Sequence, residues 1–475
     1  MLEVMPVLVH KSPTPLYMQL ANFIKGEILK GNIKPLEKLP SKRNLANYLG
    51  LSLNTVQSAY DQLCAEGFLE SRPRSGLFVV ELLEDLMVSH DKVEPVGMAE
   101  ELKEPAEKID FNSGKVDLEH FPLSVWRRLS VQALYEDQWD LFYTGNPQGE
   151  RLLREEIAKY LFQSRGVRCT AEQIVIGAGT QVLMGLLCLV IGRDEIYALE
   201  NPGFHRTRAV LQNLGVLTVP VPLDEEGITV ECLHGSGARV VYVTPSHQFP
   251  LGMIMPIARR IELLKWAEEM DGYVIEDDYD GEYRYKGKPI PSLQGLDSSE
   301  RVVYLGTFSK SLIPSLRISY MVLPEGLLAR YREHFIIYKQ TVSRLHQDTL
   351  YRFMHEGHWQ THLNKMRTLY RKKQAFLISA IHNFMGEWVK VIGEKSGLHI
   401  VLDVRNGMME EELVRRAMAA GVKVYPLSVY YAELAGGVDS KVLLGYGGLS
   451  ENQIQEGIRV LADAWGLTKS ETAKG

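Results

Sequence analysis

Short runs rich in Val, Ile and Tyr alternate with helix-like segments over more than half of this chain. QIVIG precedes AGTQVLMGLLCLVI, EIYAL precedes NPGFHRTRAVLQNLG, RVVYVTP follows, and YVIEDDY and VVYLGTF come after it. Apolar strands separated by helices imply an α/β fold with a mostly parallel sheet and helices on both faces. In such sheets ligands collect at the carboxyl ends of the strands. The residues that follow each run are therefore the first place to look for chemistry.

At 475 residues the chain exceeds one core of ordinary size, so more than one domain is expected. It is 45% hydrophobic, yet no apolar run approaches the ~20 residues a membrane helix needs, so a soluble protein without a membrane partner is expected. The opening MLEVMPVLVHKSPTPLY has no basic segment followed by a long apolar core, which predicts a cytoplasmic protein without a secretory signal. Cys64, Cys169, Cys188 and Cys232 form no C-x-x-C pair and are expected as structural thiols. His355 and His358 in HEGH lack a third ligand at suitable spacing, so no metal site is predicted.

Charge is unevenly spread. Residues 1–80 carry nine Lys/Arg against six Asp/Glu, a balance of +3 in a chain whose net charge is -6. The stretch 81–108 then holds nine acidic and three basic residues and no aromatic one. With so little to bury, it is expected as a flexible acidic linker between a head domain, 1–80, and a body, 109–475.

In the head, Leu16, Leu20, Phe23, Ile24 and Ile28 recur at helical spacing, with Thr14 expected as N-cap and Gly31 as stop. Ser41 and Ser52 can cap two further short helices that end at Gly50 and Gly67. Two short helices joined by a tight turn make a helix-turn-helix, whose second helix enters the major groove of DNA. FLESRPRSGLFVVE adds a hairpin with the basic residues Arg72 and Arg74 near its tip, the wing of a winged helix.

In the body, Gly179, Thr180 and Gln181 open a helix after a strand, where backbone N–H groups can hold a phosphate. Asp277, Asp278, Tyr279 and Asp280 follow an apolar strand, where a carboxylate is costly unless it meets a cation or a protonated nitrogen. GTFSKSLIPSLRISY supplies a primary amine, Lys310, with Thr307, Ser309 and Arg317 as phosphate ligands nearby. A Schiff-base lysine, an acid for a pyridine nitrogen and a phosphate site are the needs of pyridoxal 5'-phosphate.

These motifs carry a family resemblance. LPSKRNLANYLGLSLNTVQSAYDQLCAEGFL with the wing SGLFV resembles the winged helix-turn-helix of GntR-type bacterial regulators. Residues 110–465, through RGV, GAGTQ, ENPGF, IEDDYD and SKSLIPSLRISY, resemble a fold-type I aminotransferase. The combination is similar to the MocR/GabR regulators.

That resemblance implies Arg43, Ser52, Asn54, Thr55, Gln57, Arg74 and the wing at Gly76 as DNA contacts. It implies Lys310 as the internal aldimine, Asp277 on the pyridine nitrogen, Tyr279 on the phenolic oxygen and Phe204 stacked on the ring. Thr180, Ser309 and Arg317 would take the phosphate, and Arg206 an effector's acidic group. It also implies a homodimer, head-to-tail with exchanged heads, that binds double-stranded DNA and an amino acid or amine effector.

Three departures stand out. Leu53 replaces an arginine common in the recognition helix, Phe249 stands where aminotransferases have an asparagine, and Gly448 stands at the expected position of the arginine that clamps a substrate carboxylate. Arg206, Lys395 or a partner-chain residue could replace that clamp. Two readings follow: a regulator that senses an amino compound through exchange at Lys310, or an active aminotransferase with an appended DNA-binding module.

Overall fold

The structure is a computed structural model that describes residues 8–9, 14–73, 75–81, 109–135, 139–285, 291–432 and 440–467. Arg74, and the expected linker apart from Glu81, lie outside the described residues. The chain divides into two compact units, Met1–Leu102 and Lys103–Gly475.

The first unit runs α1 (Leu16–Leu29), α2 (Lys42–Leu49), α3 (Leu53–Ala65), β1 (Leu69–Arg72) and β2 (Gly76–Val79). Leu20, Ile24 and Ile28 of α1 share one core with Val56, Tyr60 and Leu63 of α3, so the helical periodicity is the buried stripe. Ser41 Oγ accepts from Asn44 N at 3.2 Å and Ser52 Oγ from Thr55 N at 3.1 Å, which starts α2 and α3 where the sequence expects them. Thr14 does not cap α1. Pro15 holds that position without a side-chain bond, and the Thr14 carbonyl accepts from Gln19 Nε2 at 2.6 Å. The antiparallel pairing of β1 with β2 builds the wing.

In the second unit β3 (Ile109–Asp110) leads through α4 (Leu123–Tyr135) and α5 (Arg151–Arg165) into the large sheet. Its strands are β4 (Ile174–Gly177), β5 (Tyr197–Asn201), β6 (Thr218–Asp224), β7 (Gly227–Ile228), β8 (Val240–Val243), β9 (Tyr273–Asp278), β10 (Val302–Thr307) and β11 (Ser319–Val322). They lie in the order β4-β11-β10-β9-β8-β5-β6-β7. β10, β9, β8, β5 and β6 are parallel neighbours. β11 runs against both β10 and β4, and β7 against β6. The four residues of β8 and all but the first of β9 are buried, as strands covered on both faces must be. The helices α6 (Thr180–Ile191) and α7 (His205–Asn213) follow β4 and β5 directly.

A second, antiparallel sheet, unannounced by the sequence reading, contains β12 (Val389–Ile392), β13 (His399–Val404), β16 (Lys441–Gly445) and β15 (Tyr425–Pro426), while β14 (Val422–Lys423) pairs with β3. Leu377 and Ile381 of the long helix His358–Met385 share its core with Ile458 and Leu461 of helix Glu451–Ala464. Cys188 is buried, but Cys232 is exposed, contrary to the expectation of structural thiols throughout. His355 Nδ1 and His358 Nε2 pair with Glu156 at 2.9 Å and Glu356 at 3.2 Å. No helix among the described residues is long and apolar enough to cross a membrane.

Candidate cofactor site at the strand ends

The candidate residues follow the ends of β4, β5, β8, β9 and β10, strands of one sheet. After β4, Gly177-Ala178-Gly179 turns the chain into α6, and Gly179 has a φ of +96°. A side chain there would also collide with the Arg317 guanidinium, since a Cβ would lie 2.1 Å from Nη2. Arg317 thus lies directly over the turn that opens α6. The Gly179 N–H, expected among the anion donors, donates instead to the Gly177 carbonyl at 2.8 Å. Thr180 and Gln181 begin the helix, so theirs are the first-turn amides that helix geometry leaves without an intrahelical acceptor.

Beyond β10, Thr307 shapes the loop that carries the lysine. Its Oγ1 accepts from Ser309 N at 3.2 Å and from Ser319 Oγ at 2.8 Å. Ser309 Oγ is buried and has no hydrogen-bond partner among the described residues. The Lys310 amine donates to the carbonyl oxygen of Ser113. Burial pushes it down to about 8, with Arg206 acting in the same direction and Asp280 against it. A larger fraction of this amine is neutral, and hence nucleophilic, near neutral pH than of an ordinary lysine.

At the end of β9 the four acidic residues divide the work. Glu276 accepts from the Leu293 and Gln294 amides at 2.9 and 3.0 Å. Asp278 is held by Arg165 Nε and Tyr304 Oη, each at 2.6 Å. Asp280 meets His247 Nδ1 at 2.9 Å. Asp277 has no basic partner among the described residues: Tyr242 Oη donates to Oδ2, while Oδ1, like Asp278 Oδ1, is buried without a partner among them. Burial raises its pKa to about 7, against the lowering effect of the Tyr242 bond. A buried acid with one oxygen unmet fits a protonated ring nitrogen, which would satisfy that oxygen and favour its charge.

Phe204 stands at the start of α7 and stacks on Phe249, with ring centroids 4.1 Å apart and planes 6° from parallel. Tyr242 and Tyr279 approach the Phe204 ring edge-on, at 6.5 and 5.0 Å. Tyr279 Oη lies 2.9 Å from His247 Nδ1 and donates to the His247 carbonyl at 3.0 Å. Arg206 is exposed in the first turn of α7. Gly448 is exposed but packs closely on Lys115: a Cβ there would sit 2.7 Å from Lys115 Cβ, so an arginine at 448 would require that segment to move.

The sequence reading passed over Tyr242, His247, His399 and Ser113. A tyrosine inside the apolar run RVVYV was a usable signal, because a buried hydroxyl needs a partner. His247, Asp280 and His399 bring potential ligand atoms within 4.8 Å of one another. However, His247 Nδ1 is engaged by Asp280 and His399 Nε2 by the Pro250 carbonyl at 3.1 Å, so the group is a hydrogen-bonded network.

In the head, Arg43, Asn54 and Leu53 are exposed, Leu53 to 45%. Ser52 Oγ lies 2.8 Å from Thr55 Oγ1 as well as capping α3. The Gln57 side-chain amide donates to Asp61 at 2.7 Å. Gly76, with a φ of +114°, starts the second wing strand.

Comparisons with known proteins agree with both parts. Residues 16–79 match the family of bacterial regulatory proteins of the gntR type, and residues 106–461 match aminotransferase class I and II. The probable rhizopine catabolism regulatory protein MocR of Rhizobium meliloti is 34% identical over 99% of this chain and 97% of its own length. The chain belongs to the MocR-type branch of the GntR regulators. An uncharacterised HTH-type transcriptional regulator of Bacillus subtilis, YdeL, is 46% identical over 98% of this chain and 100% of its own. A kynurenine aminotransferase of Pyrococcus horikoshii, solved with PMP, is 28% identical with a TM-score of 0.68, covering 78% of this chain and 93% of its own. This MocR-type chain is a transcriptional regulator with an aminotransferase-like domain.

Proposed function

We propose that this regulator binds pyridoxal phosphate in its body, senses an amino compound at Lys310 and alters DNA binding by its head in response. The observation that supports the reading is a Lys310 amine lowered to about 8 just after β10, beside the unmet Ser309 Oγ, while the neighbouring parallel strand β9 ends at Asp277 with its Oδ1 buried and unmet. When bound, the cofactor supplies an aldehyde that condenses reversibly with primary amines. Lys310 is the resident amine, Asp277 faces the ring nitrogen, and Tyr279 faces the phenolic oxygen. Ser309, Arg317 and the amides of Thr180 and Gln181 hold the phosphate, and Phe204 covers the ring.

An effector amine releases Lys310, whose freed amine changes the charge of the site. For regulation the effector must favour one of two body states, and a bias of about 1–3 kcal/mol gives a several-fold response or more. The working unit of this proposal is a cytoplasmic head-to-tail homodimer. Its heads occupy residues 1–80, the acidic linker 81–108, and the bodies 109–475. Each dimer presents two heads to two DNA half-sites through Arg43, Ser52, Asn54, Thr55, Gln57, Arg74 and the wing.

The second reading, sustained transamination, is favoured by the lowered Lys310 amine, which is suited to moving a proton near neutral pH. Phe249, and a glycine rather than a clamp arginine at 448, favour sensing. The test is the visible absorbance of wild type and Lys310→Ala with added pyridoxal phosphate, before and after a panel of amines. A Schiff-base band that the variant lacks, and that one compound shifts without continuing product formation, is the expected result. If wild type and Lys310→Ala give the same spectrum, Lys310 has no such role. Continuing turnover with a 2-oxo acid would favour the enzyme reading.

A further inference from the structure

Behind Tyr279 lies a buried network that cofactor holding alone does not require. His247 Nδ1 stands 2.9 Å from Asp280 Oδ2, 3.2 Å from Oδ1 and 2.9 Å from Tyr279 Oη. A ring nitrogen against a carboxylate carries its hydrogen, which leaves Nε2 as the acceptor. Nε2 is buried without a partner among the described residues, and so is Ser396 Oγ.

Both residues line the same polar cavity of about 10 Å³, together with Ser246, Asp280 and Arg284. That volume is on the order of what one water needs, and a buried water takes two to four polar partners. The imidazole has little freedom to leave. Gly397, with φ +75°, lies so close that a Cβ would come 1.9 Å from His247 Cε1.

The charged and titratable groups around His247 come from several elements. Asp280 and Tyr279 follow β9. His399 on β13 has its ring 4.8 Å away, and burial first, then His247 and Lys310, hold it well below the usual histidine range, so it is neutral. Lys310 comes from the loop after β10. Across the cavity, Arg165 is paired with Asp278, Arg260 donates to the carbonyls of Met255, Pro291 and Pro245, and Arg284 completes the wall.

We propose that His247 is a positioning residue for the Tyr279 hydroxyl, steadied by Asp280 on one nitrogen and by a water shared with Ser396 on the other. This rests on the cofactor reading above. Tyr279 has one hydroxyl proton, which here goes to the His247 carbonyl. The one Nδ1–H of His247 is shared between Asp280 Oδ2 and Tyr279 Oη, each 2.9 Å away. If the Tyr279 proton turned toward the phenolic oxygen of a bound cofactor, that shared hydrogen would support Tyr279 Oη from behind and make it a stronger donor. The cofactor's anionic oxygen is then stabilised, and the charge of the bound cofactor changes at a lower pH.

The test is a pH titration of the bound cofactor's visible band in the full chain. His247→Phe removes the donor and is expected to raise the midpoint by roughly half to one pH unit, the size one hydrogen bond gives. His247→Asn places an amide nitrogen near the former Nδ1 and is expected to return most of that shift. Ser396→Val keeps the imidazole but removes the shared hydroxyl, with a smaller rise expected.

A His247→Phe protein that takes up cofactor, even weakly, and titrates like wild type would overturn the proposal and leave His247 a purely structural residue. If His247→Phe does not fold, unchanged midpoints in His247→Asn and Ser396→Val support and oppose it respectively, so Ser396→Val decides. Failure of the wild type itself to show any band with added cofactor is a separate result. It removes the cofactor reading before the variants are compared.

Discussion

The helical head and the strand-end site of the body keep their polar groups in opposite ways. In the head, Ser52 caps its own helix, Gln57 is met by Asp61 one turn away, and Arg43 and Asn54 face solvent. In the body, Asp277 Oδ1 and Ser309 Oγ are buried and unmet, and Lys310 is shifted to about 8. A surface that meets a polymer of charge can stay solvated until it binds, whereas a site that holds a small molecule from all sides must be built with its partners missing.

The sharpest way to break this contrast is thermal unfolding with and without pyridoxal phosphate. A ligand at about 100 times its Kd stabilises by about 2.7 kcal/mol, and the gain is expected in the body's transition. Lys310→Ala is expected to lose most of it. A wild-type melting temperature that does not respond to saturating cofactor would mean the unmet atoms serve something else.

Leu53 sharpens the contrast from the head's side. It is exposed at the first position of α3, where an apolar side chain suits a thymine methyl and cannot make the paired bonds an arginine makes to guanine. Leu53→Arg is expected to shift binding toward guanine at one operator position by about 1–3 kcal/mol. Binding to a set of operators varied at single positions measures it. An unchanged preference would place Leu53 outside the groove.

Asp277 gives a pH dependence in the opposite sense to most surface acids. Folding raises it to about 7, from an ordinary value of ~4. Between those values the folded protein binds more protons than the unfolded chain, so the contribution is fully present below the window and is lost as pH rises through it. Glu200 and Glu282, also raised to about 7 by burial, add in the same direction. Cofactor-free protein is therefore expected to lose stability from pH 4 to 7 through these groups, with Asp277→Asn flattening the loss. Denaturant midpoints across that range measure it, and an equal slope in the variant would show that Asp277 is not costly when charged.

The parallel strands were legible because Val240–Val243 and Val302–Leu305 are apolar runs with helices between them, and Lys310 because its neighbours include a serine and an arginine suited to phosphate. The direction of β11 was not legible, since SYMV reads the same whichever way it runs. His247 was hidden for a different reason: its partner Asp280 is 33 residues away, and only the return of the chain through β9 brings them together. The second sheet escaped notice in part because one of its strands, β15, has only two residues, too few for alternation to register. Local chemistry shows in a sequence, while networks made by topology do not.

The smallest effect tests whether the head's polar groups are as locally satisfied as they appear beside the body's. Ser52 was expected to face DNA, yet its hydroxyl accepts from Thr55 N at 3.1 Å and lies 2.8 Å from Thr55 Oγ1. Removing an N-cap costs about 1 kcal/mol, and glycine recovers most of it by relaxing the backbone. Ser52→Ala is therefore expected to lower the stability of the head by about that amount, with Ser52→Gly milder. DNA affinity measured well below the melting temperature separates cap from contact. A cap alone makes affinity follow stability, so the glycine variant binds better than the alanine variant. Equal loss of affinity in both, beyond the loss of stability, would mean that the hydroxyl leaves its cap to meet the phosphate backbone.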